Sequence, residues 1–386
     1  MNWYLNRAKE LYDETVRNRR YIHQNAELGM ELPKTVAYVR EQLESYGYEV
    51  HDCGGGLTCT VGSGGKVFMI RGDMDALPQD EVSGVPYSCT TGACHSCGHD
   101  THTAMLLCAA KMLKEREAEL KGTVKFMFQP GEEVLAGAKA MIEAGILENP
   151  HVDAAMALHS SGLQTGTVRF YTGGMKGARE FHMTVRGKAS HGSAPHAGVS
   201  ALSIAANIVV AVQQIVSMEV DNASSATITF GTFNAGEAVN INPGEAELSG
   251  TIRTYDAEEL EFMVRRFEEL STSIAAGMRG SVELTFGGVV PFRNDPELAR
   301  ELYEYVEETS TARILVEGND RGADDFAYVS QKIPTIQGNI GTGSPEEGYK
   351  YPGHNPHRTL NEEGMPYGAA TYAYCAEQWL TRHADD

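Results

Sequence analysis

Val67-Phe68-Met69-Ile70-Arg71-Gly72-Asp73-Met74-Asp75-Ala76-Leu77-Pro78 is a short apolar run that passes at once into acidic residues. The run is too brief for a buried helix and reads as a buried strand. The same layout occurs twice more. Val124-Lys125-Phe126-Met127-Phe128 leads into Gln129-Pro130-Gly131-Glu132-Glu133, and an apolar strand over 154–158 stops at His159. Helical patterns separate these strands, which predicts a mostly parallel sheet with helices on both faces. In such sheets, sites form beyond the carboxyl ends of the strands. One polar strand end is an ordinary turn; three of them favour a shared site.

Between the first two strands lies Cys94-His95-Ser96-Cys97-Gly98-His99-Asp100-Thr101-His102. Thiolate and imidazole are the usual protein ligands of zinc-like metals. Gly98 lets the backbone turn sharply, so that Cys97 and His99 face one centre. Met105, Cys108, Ala109 and Met112 then continue at helical spacing, which puts the cluster where a loop enters a helix. Two other readings stand beside a metal site: a redox dithiol at Cys94 and Cys97, and surface histidines. A structural zinc finger would need a second ligand pair at finger-like spacing, and none follows nearby.

The chain has 386 residues and a net charge of −20. That length is enough for roughly two or three domains. The charge argues against nucleic acid and against anionic membranes as partners. No uninterrupted apolar run reaches membrane-spanning length, and the N-terminus lacks the charged-then-apolar layout of a signal peptide. Seven scattered cysteines fit a reducing cytoplasm better than a disulfide scaffold.

Residues 4–25 read as one helix, and Pro33 opens another that Gly47 stops. From about Arg179 the texture changes. Strands over 181–185, 227–233, 246–255 and 281–286 alternate with helices over 199–218 and 258–276. The order β-α-β-β-α-β is that of a ferredoxin-like unit. The expected organisation is therefore an α/β catalytic domain from 1–178 and 291–386, with an inserted domain at 179–290.

The ordered set of motifs resembles a known family. Asp73-Met74-Asp75-Ala76-Leu77-Pro78, His95 through His102, Phe128 through Glu133, His191 with Pro195-His196-Ala197-Gly198-Val199, and His354-Asn355-Pro356 occur in sequence. Together they are similar to the dinuclear-metal amidohydrolases of the aminoacylase/carboxypeptidase superfamily. These include bacterial N-acyl-amino-acid amidohydrolases, hippurate hydrolases and plant auxin-conjugate hydrolases. The resemblance implies a metallopeptidase-like catalytic domain with a lid and dimerisation insert. It implies two divalent ions (zinc, manganese or cobalt), with Cys97 bridging them. His99 and His159 would complete one site, and Glu133 and His354 the other.

The same resemblance makes Glu132 the general base and Asp75 a carboxylate that orients a ligand histidine. Asp73 is not expected to be a ligand, Cys94 is expected to be structural, and Asp100 and His102 are left open. In the insert, His191 would stabilise the oxyanion in a partner subunit's site. Asn240 and Arg253 would hold the substrate carboxylate, although Asn242 departs from the usual Ile before the Pro. The implied activity is hydrolysis of the amide bond of an N-acyl amino acid by metal-activated water, in a cytoplasmic homodimer. The alternative is a carboxypeptidase or dipeptidase using the same centre. A metal-binding protein without turnover is disfavoured, because a binder needs the ligand Glu133 but not Glu132 beside it.

Overall fold

A computed structural model describes residues 2–320 and 322–385. The chain forms two compact units. One contains the chain up to Gly174 and from Arg293 onward. The other contains Met175–Phe292, joined by a few residues around Gly322.

The first unit begins with α1 (Trp3–Glu10) and α2 (Tyr12–Gln24), where the sequence predicts a single helix over 4–25. The break falls at Leu11, whose side chain turns into the core. Then follow α3 (Pro33–Ser45), β1 (His51–Cys53), β2 (Gly56–Gly62), β3 (Val67–Asp73), α4 (His99–Glu115), β4 (Thr123–Gln129), α5 (Gly137–Glu143), β5 (Ala154–Ser161) and β6 (Thr167–Tyr171). The sequence reading missed β1, β2 and β6, which are short or hold mixed polar residues.

The second unit supplies β7 (Gly177–Arg186), β8 (Ser190–His191), α6 (Ala201–Ala211), β9 (Thr227–Ala235), β10 (Ile241–Asn242), β11 (Glu245–Thr254), α7 (Ala257–Gly277) and β12 (Ser281–Val289). The first unit resumes with α8 (Pro296–Tyr305), β13 (Ala312–Val316), α9 (Ala327–Ser330), β14 (Thr335–Gly341) and α10 (Met365–Arg382).

The large sheet has the order β1-β2-β4-β3-β5-β14-β6-β13, and its middle strands β4, β3, β5 and β14 run parallel. Alternate residues sort its two faces. Phe68, Ile70, Val124, Phe126, Met156 and Leu158 join the core that includes Leu106, Met112, Tyr372 and Ala376 of α4 and α10. Arg71, Gln129 and Gln337 are out of phase with these, and they meet the segment Asp324–Asp325 ahead of α9.

The second unit is an antiparallel sheet of order β12-β7-β11-β9 covered by α6 and α7, which is the ferredoxin-like arrangement. Ala201–Glu219 is the one stretch among the described residues long and apolar enough to cross a membrane. Its Ala201, Ile204, Ala205, Ile208 and Ile215 are instead fully buried within this unit. That is the pattern of a core-covering helix.

Candidate metal centre

Parallel register brings the polar strand ends to one edge of the large sheet. Asp73 pairs with Gln129 across β3 and β4, and His159 lies on β5 opposite Asn339 of β14. The chain leaves β4 through Gly131 at φ 63° and presents Glu132 and Glu133. Cys97 and His99 flank Gly98, the residue before α4, at φ 101°. A Cβ on Gly98 would lie 2.3 Å from Ser160 Oγ, so both the backbone angle and the close approach require glycine there.

Among the described residues five groups of potential ligands result, and two of them share Cys97. The ligand atoms of Cys97, His99 and His159 lie within 4.8 Å of one another, and so do those of Cys97, Glu133 and His354. Cys97 belongs to both. Cys97 Sγ is 3.3 Å from His159 Nε2, and His354 Nε2 is 3.6 Å from Glu133 Oε1. Ligand atoms around a tetrahedral cation with bonds of ~2.0–2.3 Å stand roughly 3.3–3.8 Å apart.

Hydrogen bonding also fits a cation pair. His159 Nδ1 donates to the Ser160 carbonyl (2.9 Å), which turns the lone pair of Nε2 toward Cys97. Burial is the main influence that keeps His159 neutral. His99 Nδ1 faces Asp75 Oδ1 at 3.3 Å, which leaves its Nε2 as the ligand atom. Among the described residues, His99 Nε2 and Glu133 Oε1 are buried without a conventional hydrogen-bond partner, with the Cys97 thiol as their polar neighbour, an arrangement that costs stability unless something binds them. Burial also pushes the Cys97 thiol up to about 12, so a thiolate at this position calls for cationic neighbours.

Asp75 does more than orient His99. Its Oδ1 also accepts the Glu132 N–H and its Oδ2 the Glu133 N–H, each at 3.1 Å. One carboxylate therefore ties a ligand histidine to both glutamates. Glu132 is 7% exposed, and its Oε2 lies 3.7 Å from His99 Nε2. Burial raises its carboxyl well above the usual range. Asp324 adds to the rise, His99 opposes it, and Asp325 and Asp73 add further.

His102 is held by two hydrogen bonds of its own. Its Nε2 accepts the Ser160 N–H (2.7 Å), so its proton sits on Nδ1 and is given to Asp73 Oδ1 (2.6 Å). Both nitrogens of His102 are thus engaged, and Asp73 Oδ2 meets Arg71 (2.8 Å) and lies 3.7 Å from His99 Nε2. Cys94 is anchored through its backbone, which pairs with Leu77 in both directions, and its thiol is pushed up to about 11 by burial. His95 belongs to neither triad. It is 4% exposed, both ring nitrogens are without partners among the described residues, and burial lowers it to about 4.

Three supporting groups went unread in the sequence. Arg71 reaches Asp324 at 3.1 and 3.0 Å, Asp73 at 2.8 Å and Gln129 Oε1 at 2.8 Å. Asp325 accepts from Gln129 Nε2 (2.6 Å) and Ala138 N–H (2.9 Å), and burial followed by Asp324 pushes it up to about 7. Arg358, 9% exposed, donates to the carbonyls of Ser96 (2.9 Å), Cys97 (2.6 Å) and Ser160 (3.2 Å), clamping the ligand loop to β5. His354 is the outlier among the ligands: its side chain is 57% exposed and its φ is 64°. Leu135, two residues past Glu133, is likewise left-handed at φ 55°.

The remaining candidates lie in the second unit. His191 and Asn240 share a small ribbon, in which β8 pairs with β10 and Gly192 N–H donates to Asn240 O (2.7 Å). His191 Nδ1 accepts the Ser193 N–H (3.1 Å), so its exposed ring carries the proton on Nε2. Asn242 donates to Ser190 Oγ (3.2 Å) and staples the ribbon. Arg253 is half-buried on β11, with Nε 3.4 Å from Thr251 Oγ1.

Two groups of potential ligands that share Cys97, with a carboxylate beside them at the carboxyl ends of parallel strands, fit a metal-dependent hydrolase that uses two divalent ions. The chain belongs to the peptidase family M20/M25/M40, whose model matches residues 69–378. It is 35% identical over 390 residues to IAA-amino acid hydrolase ILR1-like 2 of Arabidopsis thaliana, covering 98% of this chain and 88% of that protein. It is 31% identical over 377 residues to N-acetylcysteine deacetylase of Bacillus subtilis, covering 95% and 97%. Among solved structures it is similar to the Bacillus subtilis YXEP protein, a dinuclear metal binding peptidase from the M20 family. The TM-score is 0.82 at 28% identity, covering 97% of this chain and 99% of that one. The protein is therefore an M20-type metal-dependent amidohydrolase.

Proposed function

We propose that the protein hydrolyses N-acyl amino acids to a carboxylic acid and a free amino acid. The observation that carries this reading is the pair of triads sharing Cys97, with the buried Glu132 beside them, its Oε2 3.7 Å from His99 Nε2. Cys97, His99, His159, Glu133 and His354 would hold two divalent cations, whose chemistry is Lewis acidity toward water and the scissile carbonyl. Glu132 takes a proton from the attacking water and returns it to the leaving nitrogen. Its buried setting, which raises its affinity for a proton, suits both steps. His191 presents an Nε2–H for the tetrahedral oxyanion, and Asn240 and Arg253 bind the substrate carboxylate. The relatives named IAA-amino acid hydrolase and N-acetylcysteine deacetylase support an acyl-amino acid, and Thermostable carboxypeptidase 2 of Saccharolobus solfataricus, 34% identical, supports the peptidase alternative.

The test is a panel of N-acetyl-, N-benzoyl- and longer N-acyl-amino acids plus dipeptides, assayed on chelated protein reloaded with Zn²⁺, Mn²⁺ or Co²⁺. Hydrolysis of acyl-amino acids, abolished by chelation and restored by one of these ions, is expected. Faster turnover of dipeptides would move the enzyme to the peptidase reading. No turnover with any ion would remove both.

We further infer a homodimer formed through the second unit. Leu202, Val210 and Met218 leave α6 and the turn after it exposed and apolar, and Phe233 is exposed on β9, the sheet's edge strand. An uncovered edge strand with apolar neighbours favours pairing with a second copy. Sedimentation equilibrium is expected to give twice the 41.9 kDa chain mass, and Val210→Glu to shift the population to monomer. A wild-type monomer at micromolar concentration would rule the dimer out. The seven cysteines are all free and buried, which supports a reducing, cytoplasmic setting.

A further inference from the structure

A second buried polar cluster adjoins the centre, built around His23 of α2. The His23 residue is 3% exposed. Its Nδ1 lies 2.8 Å from Asp100 Oδ2, and its Nε2 lies 3.0 and 3.1 Å from the two oxygens of Glu81. A neutral imidazole has one donor and would turn a lone pair toward one of these carboxylates. With a carboxylate at each nitrogen the ring holds its proton more tightly than a free imidazole; burial and Arg19 oppose the charge, and the bonds to Asp100 and Glu81 outweigh them. Arg19 completes the cluster, with Nε 2.6 Å from Asp100 and a second nitrogen 2.7 Å from Tyr87 Oη. Tyr87 sets its ring edge-to-face against His23, and His95 stands 6.1 Å away, ring to ring.

The two carboxylates on His23 lead to opposite sides of the metal centre. Asp100 directly follows His99 in the first turn of α4. Glu81 accepts from Ser83 Oγ and from the Cys89 N–H, which fixes the loop after Pro78. That loop in turn holds the segment bearing His354. Gln79 donates to the His354 carbonyl (3.1 Å), and Val82 N–H donates to the Pro356 carbonyl (3.0 Å). The Val82 carbonyl accepts from His357 Nδ1 (3.1 Å). The exposed His354, at its left-handed φ, is the ligand with the least packing of its own. These ties hold it, together with its own N–H, which donates to the Ser96 carbonyl (3.1 Å).

We propose that His23 is a positioning residue for the dinuclear centre. As the bridge between Asp100 and Glu81, it fixes the distance between the Cys97/His99 side and the His354 side, and so sets affinity for the cation held by Glu133 and His354. This rests on the two-cation reading above. Outer groups that orient ligands are worth about 10–100-fold in metal affinity.

The experiment is calorimetric titration of Zn²⁺ or Mn²⁺ into chelated full-length protein, with bound metal counted by elemental analysis, for wild type, His23→Gln and Glu81→Gln. Wild type is expected to bind two ions. Both variants should keep the first ion at wild-type affinity and bind the second at least tenfold more weakly. Their kcat should return at raised metal concentration with KM unchanged, a rescue that general loosening of the fold would not give. Equal weakening of both ions, or wild-type affinity for both, in a folded variant overturns the proposal. Glu81→Gln keeps the neutral hydrogen bonds of the loop and decides the matter if His23→Gln does not fold. Fewer than two ions on wild type would remove the two-cation reading and this proposal with it. Two ions on wild type with unaltered variants would remove the proposal alone.

Discussion

Glu132→Gln is expected to keep both cations and to lower kcat by about 10²–10⁴-fold, the usual contribution of a positioned acid–base group. The amide is nearly isosteric with the carboxylate and neutral, so burial at this position favours it. The backbone N–H of residue 132 still bonds to Asp75, and Glu133 keeps its own bond to the same carboxylate. The ligand geometry is therefore unchanged, and the loss falls on proton transfer alone. Metal content of two ions per chain with near-wild-type turnover would take Glu132 out of the reaction. Loss of one ion would instead make it a ligand, a role its contact with His99 Nε2 at 3.7 Å does not by itself exclude on distance.

Cys97→Ser should act on the opposite half of the chemistry. Cys97 is the single residue common to both triads, so its loss damages two sites at once. The serine hydroxyl is close in size but is not a thiolate, and soft ligation disappears with the sulfur. The expected fall in affinity exceeds the about 10–100-fold seen when a merely supporting group is removed. Thermal melting provides the readout. Wild type should gain stability on addition of metal, because the assembled site binds ions more tightly than the unfolded chain does. Cys97→Ser should melt at one temperature with or without them. A variant that still gains stability from two ions would show that the bridge lies elsewhere.

The fold was legible because its informative features are local. A strand of four or five apolar residues that ends in Asp, Glu or His states both its place in a sheet and the location of the site. The five candidate ligands were legible through an ordered set of motifs, and the geometry gathers them into two triads that share Cys97. What escaped the sequence is non-local. Arg71 meets Asp324 across 253 residues and Arg358 reaches Cys97 across 261, and no periodicity connects such positions. His102 illustrates a different limit. Its residue type suits a ligand, and its neighbours in sequence are candidate ligands, yet the Ser160 N–H and Asp73 already engage both of its nitrogens. The Leu11 break in the first helix was likewise invisible, since the residues around it all tolerate helix.

The left-handed backbone at His354 implies a compromise between ruggedness and chemistry. A β-carbon-bearing residue at φ 64° costs on the order of 1 kcal/mol or more where glycine would cost nothing. Natural chains sit close to their stability threshold, so such a cost persists where something compensates for it. At this corner the proposed ion binding, through the imidazole that the strained residue carries, would be the compensation. Selection for heat resistance and selection for catalysis therefore pull in opposite directions at this one position.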